Sequence, residues 1–399
     1  MGEIILKRMK PLNIFNNLTS VQKSLVISIF SIVLFVVSAY TSYSLFSNSR
    51  VSIGDNTLVT ALPSASNAVT EDPKAPKTAE CPLNGSMHTQ EAKANWEKRR
   101  PLAVMIENHT EARPQSGLSS ADIVYEAVAE GGITRFMGVF YCNLNDAQVG
   151  PVRSARTYFL DWLGEYDALY AHVGGANSSG PADALGQIIK YGVKDLNQFS
   201  IGFPTFWRDY QRLGHSVATE HTMYSTTAKL WDIGAKRGWT ATDENGKKWA
   251  DSFVPWKFKD DKAGGTTNVI NVDFWQGYGD YSVKWTYDAA SNTYKRENGG
   301  VPHLDFDNKQ QLSAKNIVVQ FERESHANDG YENNVHLLYK TTGQGDALFF
   351  QDGNVIKGKW IKNSRTSRTK YVDSKGNEVA FNRGVIWIQT VPEGSTVKY

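Results

Sequence analysis

Several patterns that assign a reaction to other sequences are missing from this one. None of its eight histidines forms an H-E-x-x-H motif or a Cys/His zinc pattern. The nucleophile motif G-x-S-x-G does not occur, and the chain has no internal repeat. We therefore expect no metal site and no cofactor, and motifs alone indicate no catalytic class.

The chain also lacks an excess of charge of one sign, because its formal net charge is only +2. Residues 1–45 contribute +3 of this, from Lys7, Arg8, Lys10 and Lys23 against Glu3, so residues 46–399 carry −1. Nucleic-acid binding depends on the neutralisation of many phosphates by Lys and Arg. We therefore expect no nucleic-acid partner.

Cysteine is scarce as well, with only Cys81 and Cys142 in 399 residues. Two cysteines can pair in an oxidising compartment, whereas the cytosol keeps thiols reduced. Because the apolar run described next indicates export, we predict a Cys81–Cys142 disulfide. Two separate buried thiols are the alternative.

One long apolar run is present, over residues 25–45, and the basic residues named above precede it. About 20 apolar residues of helix cross a bilayer, and the basic side stays in the cytoplasm. We predict a cytoplasmic tail over 1–24 and a single transmembrane helix over 25–45 that acts as an uncleaved signal anchor. The lipid bilayer is then a partner, and the remaining domains are extracellular. A cleaved signal ending near Val37-Ser38-Ala39 and a buried core helix are the alternatives.

Residues 46–80 predict a disordered linker. The stretch from Ser47 to Glu80 has no aromatic residue, and its prolines stand among Ser, Ala, Thr and Asn. Such a composition offers too little apolar area to offset the entropy of ordering. The folded part is therefore expected to begin near Cys81.

Residues 81–250 alternate between strand and helix patterns, which is typical of an α/β or α+β domain. Residues 152–161 predict a helix that starts just after Gly150-Pro151. Residues 123–130 fit either a helix or one arm of a hairpin that turns at Gly131-Gly132. We favour the hairpin, with Val128 opposite Arg135.

Residues 266–399 predict a mainly β domain that resembles a sandwich or barrel. Short aromatic and β-branched runs alternate there with turn clusters such as Gln351-Asp-Gly-Asn354. Its aromatic residues could stack on a sugar or a peptide, but filling the space between two sheets is the commoner role. They are Trp285, Tyr287, Tyr294, Trp360, Tyr371 and Trp387.

Three residues, Glu126, Glu130 and His221, are weak catalytic candidates. On a helix the two carboxylates would lie about 6 Å apart, close enough for an acid pair. On a strand they would lie about 13 Å apart. In the hairpin both share a face with Arg135, which predicts a structural ion cluster instead.

A group of arginines, together with one histidine, predicts an anion site. Arginine forks bind carboxylate or phosphate bidentately, and a helix start after Gly150-Pro151 would add backbone N–H groups. Salt bridges on the surface are the alternative. The candidate ligand-binding residues are Arg113, Arg135, Arg153, Arg156, His172 and Arg208.

Several motifs together resemble the bacterial YerB-like family, which is known as domain of unknown function 3048 with N- and C-terminal modules. They include Glu107-Asn-His109, Ala121-Asp-Ile-Val-Tyr-Glu126, Glu130-Gly-Gly-Ile-Thr-Arg-Phe136 and Val149-Gly-Pro-Val-Arg-Ser-Ala-Arg156. The resemblance is specific over residues 81–240 and looser beyond. It implies an outward-facing, membrane-attached protein and supports the domain division. The family has no established activity, so the resemblance implies none. The chain departs from the family in lacking a lipid-accepting Cys and in having Thr222 after His221.

We therefore expect an extracytoplasmic envelope protein that binds an anionic cell-wall polymer or another protein. The second hypothesis is a hydrolase or transferase on cell-wall glycan or peptide, with Glu126 or Glu130 as acid/base. A third is a structural partner of another membrane protein. If the structure brings the polar candidate residues together in one cleft, the enzyme hypothesis is favoured. If it scatters them, the structural-partner hypothesis is favoured.

Overall fold

The computed structural model describes residues 19–47 and 71–399. The chain divides into two compact units, residues 1–64 and residues 65–399. Six α-helices occur in the described residues: α1 (Ser20–Ser47), α2 (Gln90–Trp96), α3 (Thr157–Leu163), α4 (Ala184–Lys190), α5 (Gln198–Ile201) and α6 (Thr227–Lys236). Short 3₁₀ helices cover Thr110–Ala112, Leu118–Ser120, Thr219–His221, Trp249–Asp251, Gly279–Tyr281 and Glu332–Asn334.

Strands dominate the second unit. In chain order they are β1 (Ala79–Glu80), β2 (Met87–His88), β3 (Leu102–Glu107), β4 (Ile123–Glu130), β5 (Ile133–Phe140), β6 (Gln148–Val149), β7 (Leu169–His172), β8 (Lys194–Asn197), β9 (Trp207–Arg208), β10 (Met223–Thr226), β11 (Lys257–Lys259), β12 (Val269–Val272), β13 (Val283–Asp288), β14 (Thr293–Asn298), β15 (Val301–Pro302), β16 (Ser313–Ala314), β17 (Asn316–Glu322), β18 (Glu324–His326), β19 (Leu337–Tyr339), β20 (Gly343–Gln351), β21 (Asn354–Lys362), β22 (Lys370–Asp373), β23 (Ala380–Asn382), β24 (Ile386–Pro392) and β25 (Val397–Lys398).

The first unit is described only through α1, which contains the apolar run. Within the described residues, no helix combines the length and the apolar character that a membrane crossing requires. The transmembrane prediction for residues 25–45 is therefore not supported. Residues 1–18 of the predicted cytoplasmic tail and residues 48–70 of the predicted linker lie outside the described residues.

The last ten residues of the predicted linker, 71–80, belong to the folded unit. Strand β1 pairs with β2 in antiparallel fashion, and Ala79 is buried. Glu71 accepts a 2.7 Å hydrogen bond from His88. The folded part therefore begins before Cys81.

A ten-stranded mixed sheet forms the centre of the second unit, in the order β22-β21-β20-β17-β24-β4-β5-β3-β7-β8. Its first five strands in that order come from residues 266–399 and its last five from residues 81–250. The two halves join where β24 runs parallel to β4, with Gln389 opposite Glu126. Both segments thus share one sheet within one compact unit, and the predicted domain boundaries do not separate two bodies.

A second, six-stranded sheet contains β12–β16 and β25. Its strands alternate buried and exposed side chains, as expected for a sheet with one covered face. Trp285 on β13 packs edge-on against Trp387 of the large sheet, with ring centroids 5.3 Å apart. The six aromatic residues weighed above as ligand platforms are all buried, which confirms their role as core.

The predicted hairpin is confirmed, but its register is not. Gly131 and Gly132 adopt φ values of 54° and 76° at the turn, a conformation that glycine enters without steric cost. Arg135 lies opposite Ala127, and the register shifts between Val128 and Glu130. The extra residue is a β-bulge, which reverses the facing of everything beyond it.

The bulge places Glu126 and Glu130 on opposite faces of the sheet. Glu126 lies opposite Phe136 and faces the six-stranded sheet, whereas Arg135 lies one position away and faces the other side. Glu130 contacts Arg135 at 3.1 Å. The predicted cluster of Glu126, Glu130 and Arg135 on one face is therefore wrong. The bulge leaves Glu130 and Arg135 on one face of the sheet and Glu126 on the other.

The predicted helix over 152–161 begins later than expected. Arg156 is still extended, with φ −135° and ψ 151°, and α3 starts at Thr157. Residues 150–155 instead run beside β3 and β10, where the Val152 N–H donates to the Met223 carbonyl. Gly150-Pro151 therefore lies too far from the helix start to supply the predicted N-terminal anion site.

The Cys81–Cys142 disulfide is present, with both residues buried. We expect its removal by the double substitution Cys81→Ser and Cys142→Ser to lower the free energy of unfolding by about 4 kcal/mol. This is the loop-closure entropy for a separation of 61 residues. Urea unfolding of both forms measures it.

Mass spectrometry after alkylation of the native protein supplies the control. No thiol should react before reduction and two should react after it. Two thiols alkylated without reductant would contradict the bridge.

Candidate functional site

Glu107, the last residue of β3, joins two distant parts of the chain. Its Oε1 accepts a 2.9 Å hydrogen bond from Arg153 Nε, and its Oε2 lies 2.8 Å from His221 Nδ1. The carboxylate is buried, so each contact is little screened by solvent. The hydrogen bond to Glu107 raises the pKa of His221, against the opposing effect of burial.

Two further polar residues complete this group on the loop that follows β3. The His109 ring stacks on the His221 ring, with centroids 4.6 Å apart and planes 10° apart. Glu111 Oε2 lies 3.5 Å from His221 Nε2. The loop that follows β3 therefore meets His221.

A cleft of about 550 Å³ opens beside this group. Arg153 and Arg208 both line it, together with Glu220 and the backbone of Gly174 and Gly175. Phe199 adds an apolar wall and is 75% exposed. A few charged groups beside apolar surface are typical of small-ligand sites.

The two arginines of the cleft keep donors available. Arg153 uses Nε for Glu107, and neither of its terminal nitrogens has a hydrogen-bond partner among the described residues. Arg208 is exposed, and its Nη1 donates to the Thr219 carbonyl and to Thr222 Oγ1. These contacts hold each guanidinium in place while leaving N–H groups for a ligand.

Arg135 and Arg156 lie beneath the cleft, not in it. Both are buried and both contact the carboxylate of Glu130. Arg135 Nη1 also donates 2.7 Å to the carbonyl of Ser154, a residue that lines the cleft. Burial lowers the pKa of both guanidinium groups. Their role is to hold the backbone that carries Arg153.

His172 also supports the cleft from below. It is fully buried at the end of β7, where Nδ1 lies 2.7 Å from the Gly174 carbonyl and Nε2 lies 2.7 Å from Asp195. Because both ring nitrogens are engaged, His172 positions the glycine loop and does not reach a ligand.

Arg113 lies apart from the cleft. Its guanidinium donates to the carbonyl and the side-chain oxygen of Asn108 and lies 5.1 Å from the ring centroid of Tyr281. Burial lowers its pKa to about 10. Of the six predicted ligand-binding residues, only Arg153 and Arg208 therefore face the same space.

Glu126 lies in the core and not in a cleft. Its carboxylate accepts hydrogen bonds from Arg296, Thr134, Trp387 and Gln389, at 2.8, 3.1, 3.1 and 3.0 Å. Both partners of the Glu126–Arg296 ion pair have side chains with 0% exposure. With its oxygens engaged and no solvent contact, Glu126 is a structural charge.

A second cleft, of about 460 Å³, lies near Trp249 and Tyr191. Asp167 in its wall contacts both Arg100 and Lys194. Arg365, which also lines it, lies 4.1 Å from the ring centroid of Tyr191. None of the six predicted ligand-binding residues lines this second cleft.

Two lining residues escaped the sequence interpretation. Glu220 and Phe199 belong to no motif that the sequence analysis identified. The only available signal was the position of Glu220 beside His221, which was already a candidate.

Comparisons with known proteins show which family this chain resembles. A family profile described as "Protein of unknown function (DUF3048) N-terminal domain" matches residues 85–240, and its C-terminal counterpart matches residues 270–388. The chain is 31% identical over 325 residues to "Putative lipoprotein YerB" of Bacillus subtilis (strain 168), which covers 80% of this chain and 88% of the relative. The crystal structure of YerB protein from Bacillus subtilis is similar with a TM-score of 0.66 at 27% identity, covering 80% of this chain and 100% of that one.

The buried ion pair between Glu126 and Arg296 predicts that Glu126→Gln strongly lowers the stability of the fold. The substitution keeps the shape of the side chain but leaves the Arg296 charge unpaired, so we expect the free energy of unfolding to fall by about 3–5 kcal/mol. The double variant Glu126→Gln with Arg296→Met should lose less than the sum of the single changes. Lys284→Met, which breaks a pair with Glu297 whose lysine is 43% exposed, should cost about 1 kcal/mol or less. Urea unfolding of the four variants measures this, and equal effects of Glu126→Gln and Lys284→Met would contradict it.

His303 predicts a pH effect. Burial lowers its pKa well below the ordinary value, and Arg296 and Arg113 lower it further. The folded chain therefore keeps His303 neutral, while the unfolded chain protonates it near pH 6.5. The stability that neutral His303 contributes is present above about pH 6.5 and is lost as the pH falls.

We therefore expect the difference in unfolding free energy between the wild type and His303→Gln to shrink below about pH 6.5, by up to about 1.4 kcal/mol per pH unit. Groups common to both proteins cancel in this difference. The matched control is His215→Gln, at an exposed histidine. A His303→Gln difference that stays constant with pH would show that the folded chain does not exclude the proton.

Proposed function

We propose a function from the premise that this chain belongs to the DUF3048 family of YerB-like proteins, as its motifs indicated. The family is described as one of unknown function, so the proposal comes from the site. It is that the protein faces the cell exterior and binds an anionic group of an envelope polymer in the cleft of Arg153 and Arg208.

The outward location is supported by two observations. The Cys81–Cys142 disulfide is typical of proteins outside the cytosol. The Bacillus subtilis relative is named "Putative lipoprotein YerB", and a lipid anchor is a form of membrane attachment. Both agree with an envelope protein.

The anionic character of the ligand is supported by the two guanidinium groups in one cleft. Arg153 is held by Glu107, and Arg208 by Thr219 and Thr222, so little side-chain entropy remains to be lost on binding. A planar fork of N–H donors matches the oxygens of a carboxylate or phosphate. This shared space with free donors carries the proposal.

Glu220 further restricts the class of ligand that fits the cleft. Its carboxylate lines the same cleft, so the ligand meets one acceptor beside two cations. An anion that also carries hydroxyl or amino donors satisfies this arrangement, as acidic sugar and peptide polymers of the envelope do. The exposed Phe199 ring offers an apolar face for a sugar or side chain.

The experiment is retention of the full-length protein on purified cell-wall sacculi. We expect Arg208→Gln and Arg153→Gln each to weaken retention about tenfold or more, because each removes charge-assisted hydrogen bonds worth about 1.5–3 kcal/mol. The matched control is Arg323→Gln, at an exposed arginine outside the cleft, which should bind like the wild type.

Two outcomes would contradict the proposal. One is equal retention of all four proteins, which would place binding elsewhere. The other is release of soluble sugar or peptide from the sacculi, which would indicate an enzyme. Retention should also weaken at high salt, since the cleft is open to screening ions.

A further inference from the structure

The group at the end of β3 has features that anion binding does not use. His109 and Glu111 flank Thr110 at the short 3₁₀ helix Thr110–Ala112, and His221 ends the 3₁₀ helix Thr219–His221. We propose that His109, Glu111 and His221 bind one divalent transition-metal ion, with Zn²⁺ the best match. This inference does not depend on the function proposed above.

The distances suit a small ion. One ligand atom from each of the three side chains lies within 4.8 Å of the other two. His221 Nε2 and Glu111 Oε2 are 3.5 Å apart. Ligand atoms about 2.0–2.2 Å from a tetrahedral zinc lie about 3.3–3.6 Å from one another. The pair therefore already spans one edge of such a site.

The tautomer of His221 supports the same conclusion. Glu107 Oε2 lies 2.8 Å from Nδ1, so the Nδ1–H donates to this buried carboxylate. A carboxylate behind a histidine is the usual arrangement at metal sites, where it orients the ring and strengthens the ligand. The lone pair of Nε2 then faces Glu111.

The competing description is a protonated His221 between two carboxylates. Its Nε2–H would then point towards Glu111 across 3.5 Å, a long and weak contact for a charged pair. The stacked ring of His109 would place a second imidazole beside that cation. A metal ion would use all three side chains as ligands once the His109 ring turns out of the stack, because an ion lies in the plane of each imidazole that binds it.

The ligand set selects among metals. Two imidazoles and one carboxylate suit Zn²⁺ and its neighbours, whereas Mg²⁺ and Ca²⁺ prefer oxygen ligands. Three protein ligands leave a fourth position open, as in catalytic zinc sites. Glu111 is 54% exposed at its side chain, so this position is accessible to water or a ligand.

One other cluster in the described residues has suitable atoms, namely Cys81, Asp122 and Cys142. Its two sulfur atoms form the disulfide and cannot act as thiolate ligands. The group at His221 is thus the stronger candidate for a metal.

The test is zinc binding by the full-length protein. The protein is stripped of metal by dialysis against a chelator and titrated with ZnCl₂ in a competing chelator, and bound zinc is measured by mass spectrometry. We expect one zinc per chain. Glu111→Gln should weaken binding more than about tenfold, and Glu107→Gln by about 10–100-fold, the range typical of groups that orient a ligand.

Control variants separate this site from unspecific binding. His109→Ala should lose the zinc, while His215→Ala, at an exposed histidine outside the cluster, should keep it. Glu111 lies at the surface, so Glu111→Gln keeps the test valid even if a change at buried His221 disturbs folding. Absence of bound zinc in the wild type, or equal zinc in Glu111→Gln and His215→Ala, would overturn the proposal and leave His221 as a protonated partner of Glu107.

Discussion

The arrangement of the second unit depends on one ion pair that is withdrawn from solvent, between Glu126 on β4 and Arg296 on β14. Burial of two charges is costly, and here four hydrogen bonds to the carboxylate and the nearby ring faces of Trp387 and Trp285 offset the cost. The pair connects the ten-stranded sheet to the six-stranded sheet and residues 81–250 to residues 266–399. A second buried pair, Glu165 with Lys362, joins the same two segments. They therefore behave as one body, although two family profiles describe them.

In the candidate site, the buried carboxylate of Glu107 likewise joins distant parts of the chain. One oxygen holds Arg153 at the wall of the cleft, and the other holds His221 beside His109 and Glu111. The cleft and the proposed metal site are thus oriented by the same buried carboxylate.

Much of the local structure followed from sequence patterns. The hairpin over 123–140 follows from Gly131-Gly132 between two β-branched runs. The core role of Trp285 and Trp387 follows from the tendency of such aromatic residues to fill the space between sheets. The register did not follow, because a bulge is set by which face each side chain can bury and not by local propensity. The start of α3 was misplaced for a similar reason, since residues 150–155 pair with neighbouring strands instead of coiling.

The sequence by itself determined most classes of local structure and the family, because these depend on composition, short spacing and motifs that lie within one stretch of chain. Only the tertiary structure decided which charges are buried in pairs and which line a cleft. Glu126 and Glu130 are four residues apart yet lie on opposite faces, while Glu107 and His221 are 114 residues apart and touch. The physical reason is that a buried charge must have a partner, and the packing of sheets and loops decides which distant residue becomes that partner. Local sequence patterns do not show this packing.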